Sequence, residues 1–396
     1  MKTTEVGIRK QETGKTMLHF IMLLASWLMF FSSCAGDEIF KEIGNNIASP
    51  LSINIDSATK RLYLVNSNNT VLYKNGSLQV YDLADPLIPA LVGTAPTTSF
   101  SGHTYYDPAT NVIFVANRYS SNNADLVDNI IRVNVDEASA DFLKVEYFED
   151  GSNPFGIERD TSNTNVYVAA YNSTIDYFPV ADPASMTPIS VANLALSDGT
   201  TLGGADMRDL TIIGRQAFIT IPTGGMFVLD LDENNIDYYV SDFLSPRAAT
   251  NDETYVYMTD VEYIDDQYTP LLYVLDPAAF PPITGNTTAT VMSKDDAGVV
   301  VTSIGVGADS NADPQEMVIA TDYIFVTNTG DNSVSVIGIP GYVRGADITV
   351  GSQPFGMGLY SPPPAGVDAY LYVGNIDDNT ISIIDMATLT VVATIP

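Results

Sequence analysis

The sequence predicts an all-β fold, a seven-bladed β-propeller of four-stranded antiparallel blades, over residues 49–396. Three observations carry this. Seven short apolar runs, each built around an aromatic residue, recur with their aromatics 51, 53, 51, 39, 68 and 47 residues apart. β-Branched and aromatic residues dominate these runs and their neighbours, with Gly, Pro, Asn and Asp between them, the composition of short strands joined by tight turns. No long helical periodicity follows the N-terminal apolar segment.

The runs are 62–66, 113–117, 166–170, 217–221, 256–260, 324–328 and 371–375, around Tyr63, Phe114, Tyr167, Phe218, Tyr257, Phe325 and Tyr372. A polar loop and a second β-type run follow each, usually closing on Asp, as at Asp82, Asp230 and Asp385. Aspartate suits that place because its side chain bonds the backbone two residues on and starts a turn. Another strand precedes each aromatic run, most clearly in the near-copies Pro154-Phe155-Gly156-Ile157 and Pro354-Phe355-Gly356-Met357. A fourth strand closes the unit, as at 390–395. Four strands in about 40–50 residues make one propeller blade. The fifth unit, about 246–309, is long enough to hold an insertion or to raise the count to eight. Either 390–395 or the segment 39–43 is available as the outermost strand of the last blade.

Phe325-Val326-Thr327-Asn328 and Leu371-Tyr372-Val373-Gly374-Asn375 resemble the namesake motif of the YVTN β-propeller repeat family, and the last unit through Asp385 to Pro396 resembles it closely. The resemblance is strong in units 1, 6 and 7 and weak in 4 and 5. It implies the propeller fold. Related-looking propellers include lactonases and lyases.

The N-terminus reads as an address. Lys2, Arg9, Lys10 and Lys15 precede an apolar run from Met17 to Phe31, too short for a comfortable bilayer span and suited to a signal peptide. The run ends in Phe31-Ser32-Ser33-Cys34-Ala35-Gly36, which resembles the lipobox of bacterial lipoproteins, with Phe31 where that family prefers leucine. The resemblance implies a signal peptide over 1–33, lipidation at Cys34 and a tether over 34–48 ahead of the propeller. It further implies an outer-membrane lipoprotein of the bacterial cell envelope, facing the periplasm or the cell surface, because Ala35 rather than aspartate follows the cysteine.

Composition narrows the chemistry. Cys34 is the only cysteine, so the chain forms no internal disulfide and no multi-cysteine zinc site. With 48 acidic against 17 basic residues and a formal charge of −31, it repels phosphate backbones, and no nucleic-acid partner is expected. His103 is the only histidine outside the leader.

On the propeller topology, the entrances of the innermost strands and the loops between second and third strands share the face around the channel mouth. His103, Arg159, Asp206, Arg208, Arg247 and Glu316 fall at or near those entrances. His103 is the candidate general base, with Glu316 beside it among the catalytic candidates. Arg208 and Arg247 are candidate anchors for an anionic group. Arg159, Asp206 and the loop carboxylates Asp265, Asp266, Asp377 and Asp378 are candidate binding residues. Calcium is the one cofactor these oxygens would suit, although turn chemistry accounts for the same residues. The long polar loops at about 67–76, 118–129 and 261–270 point to a recognition surface.

Two functions follow. The first is a monomeric, membrane-tethered binding scaffold whose loop-rich face contacts a protein or a small molecule, with no cofactor. The second is a channel-mouth hydrolase or lyase acting on a small anionic substrate.

Overall fold

A computed structural model of the chain describes residues 43–67, 75–97, 100–118, 129–149, 153–160, 164–264, 266–363 and 367–396. The leader, Cys34, residues 34–42 of the tether, Asp265 and most of the loops at 67–76 and 118–129 lie outside the described residues.

Seven blades occupy residues 50–96, 101–149, 154–190, 210–241, 249–305, 314–349 and 354–395. Within each, strands pair antiparallel in chain order. The aromatic of every second strand is buried, Tyr63 at 3 % exposure and the other six at 0 %. The reason is geometric. A second strand is paired on both edges, and both its faces pack against neighbouring blades, so its sequence is apolar almost throughout. Seven buried clusters fill the seven interfaces between consecutive blades, including the one that joins the last blade to the first. The core is thus a ring of layers, each held by two neighbours.

Two recurrent polar residues have specific structural work. Asn66, Asn117, Asn328 and Asn375 end their second strands with fully buried side chains. Asn66, Asn328 and Asn375 donate to Ser77, to Ser333 and Ser335, and to Thr380 and Ser382, while Asn117 accepts from Ser101. These amide hydrogen bonds fix the strand pairing in an otherwise apolar interior, although the Oδ1 atoms of Asn328 and Asn375 are buried without a partner. Asp82, Asp230 and Asp385 each accept a backbone N–H two residues on, at 2.7–2.9 Å, as the sequence predicts.

The long fifth unit holds an insertion and no eighth blade. Between its third strand, Gln267–Leu275, and its fourth, Val300–Gly305, the chain leaves the blade. Thr290–Ser293 then pairs parallel to Asn235–Ser241, covering the outer edge of blade 4 as a fifth strand. At the C-terminus, Thr390–Ile395 pairs with Thr380–Asp385, so one continuous segment builds the last blade.

Side chains and backbone therefore close the ring. Ile53, Leu62 and Leu64 pack with Tyr372, Ile381 and Ile383. Tyr372 Oη donates to the Pro86 carbonyl at 2.6 Å, and the Ser49 N–H to Asn379 Oδ1 at 2.8 Å. Gly356 permits the close approach, since a Cβ there would lie 2.1 Å from the Leu51 carbonyl oxygen. Among the described residues no helix is long and apolar enough to cross a membrane.

Candidate functional site

The innermost strands surround a channel that holds two cavities, and all seven blades contribute to each. The mouth cavity, about 420 Å³, lies where the innermost strands begin and the second strands end. Its walls are Leu51, Phe155, Tyr171, Phe355 and Ile376, with Arg118, Arg208 and Arg247 among its polar groups. The inner cavity, about 320 Å³, lies further along the same strands. His103, Asp209, Glu316 and Glu158 line it, with Thr104, Thr211 and Asn251 among the neutral polar groups.

A stacked series of cations and rings forms at the mouth. The Arg118 guanidinium carbon lies 5.3 Å from the Tyr171 ring centre and 5.2 Å from that of Phe155. Arg208 lies 5.2 Å from Phe155 and 5.7 Å from Phe355. Guanidinium planes stack on aromatic faces in this way and keep their N–H edges free to point elsewhere. Arg208 is only 6 % exposed. Its Nη2 donates to Gln315 Oε1 at 2.5 Å, its Nε is buried with no partner, and among the described residues it has no carboxylate partner. Arg247 Nη2 lies 3.4 Å from Asp313, whose side chain is 43 % exposed. Burial, and then the neighbouring Arg208 charge, hold the Arg247 guanidinium below its ordinary value.

The inner cavity has the opposite character. His103 Nδ1 lies 3.0 Å from Asp209 Oδ1, and Nε2 lies 2.8 Å from Glu316 Oε1. The Asp209 carboxylate also accepts the Ala249 N–H at 2.9 Å. Blades 2, 4, 5 and 6 are thereby joined across the channel. Burial alone would lower the histidine, but the charges of Glu316 and Asp209 and their hydrogen bonds outweigh it and push it up to about 10. The ring is an imidazolium at neutral pH. Glu158 is pushed up to about 8, by burial first and then by the nearby Asp209 charge. His103, Asp209 and Glu316 form the one group of three potential metal ligands among the described residues. The two carboxylates engage opposite ring nitrogens, however, so the imidazolium itself fills the place of a cation between them.

This arrangement sorts the sequence candidates. His103 and Glu316 meet in the inner cavity. Arg208 and Arg247 line the mouth. Phe155 lies between the two layers, its ring centre 4.8 Å from that of His103. With both nitrogens donating to carboxylates, His103 has no lone pair for the base role read from the sequence. Arg159 is not at an entrance: it ends its strand, Pro154–Arg159, and pairs with buried Asp107 at 2.5 Å. Asp206 is exposed. Asp266 is exposed in the turn of a long hairpin, and Asp378 accepts the Ser352 N–H at 2.7 Å. Asp377 is exposed at the rim of the mouth cavity.

Sequence reading missed Asp209, Glu158, Arg118 and Gln315. Asp209 follows Arg208 in the weakest repeat unit, where the register of the innermost strand was poorly marked. The repeated Pro-Phe-Gly was the available signal for the mouth, because it places Phe155 and Phe355 at equivalent points of blades 3 and 7.

No family model and no curated protein matches the chain. Among solved structures it is similar to hydrazine synthase of Kuenenia stuttgartiensis, with a TM-score of 0.61 and 13 % identity over 87 % of this chain and 97 % of that one. At that identity the likeness speaks for the β-propeller fold alone.

Proposed function

We propose that this chain is an envelope-tethered binding protein whose ligand sits in the channel mouth. One observation carries the reading: a concave, partly aromatic cavity of about 420 Å³, bounded by all seven blades, falls in the range of small-molecule sites. Its polar groups are suited to holding a ligand. The histidine on which the hydrolase or lyase reading rested lies beyond Phe155, tied to two carboxylates. The lipobox-like segment ending at Cys34 supports the tether, and the last two repeat units support a place in the YVTN repeat family.

A thermal-shift screen of neutral, cationic and anionic small molecules tests the mouth, using the full-length chain and a Thr329→Trp variant that occludes the cavity. Compounds that raise the wild-type melting temperature and lose their effect in the variant support the reading. Compounds that act equally on both place the ligand elsewhere and defeat it. For the tether, fatty-acid labelling of wild type and Cys34→Ala decides, with equal label in both as the negative result.

The same face carries a second contact feature. The hairpin of Val256–Ile264 and Gln267–Leu275 exposes Tyr263 and Tyr268, 58 % and 55 % accessible, with ring centres 5.3 Å apart. Exposed paired aromatics favour a protein contact there. A photocrosslinker at Tyr268 that captures one partner in cells, with capture lost in Tyr263→Ser, supports that contact; capture unchanged in the variant counts against it.

A further inference from the structure

Arg208 is the anomaly of the channel. It is nine-tenths buried, and among the described residues no carboxylate pairs with it. Carboxylates are not scarce in this chain, where 48 acidic residues face 17 basic ones. Two other buried ionisable groups of the interior are matched, Arg159 by Asp107 and His103 by Asp209. A buried charge without a counterion is costly. Here a second guanidinium, Arg247, lines the same cavity. The Arg208 guanidinium lies against the rings of Phe155 and Phe355, and Gln315 takes one Nη2 hydrogen. The Nε–H is buried and unanswered.

We infer that the mouth is a carboxylate site, in which Arg208 takes the carboxylate of a small organic acid as its counterion while the acid's apolar body rests on Leu51, Phe355 and Ile376. This deepens the binding reading above and rests on it. A guanidinium fork matches the two oxygens of a carboxylate, which makes the pairing directional as well as electrostatic. Arg247, which among the described residues pairs with half-exposed Asp313 at 3.4 Å, supplies a second positive charge to the same oxygens. A neutral amide of the same shape loses the charge and keeps only the packing.

The test is isothermal titration and thermal melting of the full-length chain with phenylacetate, 4-phenylbutyrate and the matching neutral amides. The acids raise the melting temperature, and the amides bind more weakly by on the order of tenfold to a hundredfold. Arg208→Met weakens acid binding by a similar factor. Its unliganded form melts at or above the wild-type temperature, because an unpaired buried charge has been replaced by an apolar chain. Arg247→Gln, a milder change on the same cavity, weakens the acids by a smaller factor. Acids and amides binding alike, no response to millimolar acid, or undiminished acid binding in both variants overturns the inference. If only neutral or cationic compounds act, and Thr329→Trp abolishes their effect, the carboxylate chemistry is wrong and the mouth reading stands. If active compounds are indifferent to Thr329→Trp, both fall.

Discussion

Replacing His103 by alanine should be the most damaging single change in the channel. The substitution removes the cation between Asp209, a residue 5 % exposed, and Glu316, whose side chain is 16 % exposed. Two routes give the size of the effect. Removing one partner of a buried ion pair costs about 3–5 kcal/mol, because the remaining charge is left uncompensated. The rise of the His103 pKa from 6.5 to about 10 corresponds to about 5 kcal/mol of preference for the charged ring. Water in the channel and proton uptake by one carboxylate reduce this, so a loss of about 3 kcal/mol at pH 7 is expected. The sign of the pH dependence follows. A group whose pKa is raised by folding contributes fully below its unfolded value of 6.5, and the contribution disappears as pH climbs through about 10. Urea denaturation from pH 5 to 10 reads both effects. Wild type and His103→Ala should differ most below about pH 6.5, still clearly at pH 7, and converge toward pH 10. A deficit under about 1 kcal/mol at pH 7, or one that does not change up to pH 10, refutes the ion-pair reading.

Three further changes probe the same framework. Glu158→Gln should change stability by less than about 1 kcal/mol at pH 5 and add up to about 4 kcal/mol at pH 9, because between the ordinary value of 4.5 and about 8 the unfolded chain gives up a proton that the folded carboxyl keeps; denaturation midpoints at the two pH values check it. Tyr372→Phe removes the hydrogen bond to the Pro86 carbonyl across the closing interface and should cost about 1 kcal/mol in urea unfolding. Gly356→Ala forces a Cβ to 2.1 Å from the Leu51 carbonyl oxygen, so the inner strands of blades 7 and 1 must part; a loss of about 3 kcal/mol or more is expected in the same assay.

The blades were legible because each second strand is enclosed on both edges and both faces. Its apolar run then stands out wherever it occurs, even in units 4 and 5, where little else of the repeat survives. The fate of the long fifth unit was not legible. Thr290–Ser293 is an ordinary short β-type run, and nothing in it says that it pairs with blade 4 rather than blade 5. At the channel, the entrance positions led to His103, Arg208, Arg247 and Glu316. They did not reveal that adjacent residues such as Arg208 and Asp209, or Gln315 and Glu316, line different cavities. That division decides the chemistry, since it separates the histidine from the arginines. It depends on the height of each residue along the channel, a property of seven converging strands that no single segment encodes. Arg159 illustrates the same limit: a few residues along its strand carry it from the mouth to a pairing with Asp107.

The central claim is that the channel mouth holds a carboxylate ligand on Arg208. A crystal structure grown with millimolar 4-phenylbutyrate tests it most directly. A carboxylate within about 3 Å of the Arg208 guanidinium nitrogens is expected, with the phenyl end against Phe355 and Ile376. An empty mouth beside a ligand bound elsewhere, or a ligand in the mouth with its carboxylate turned away from Arg208, would contradict it.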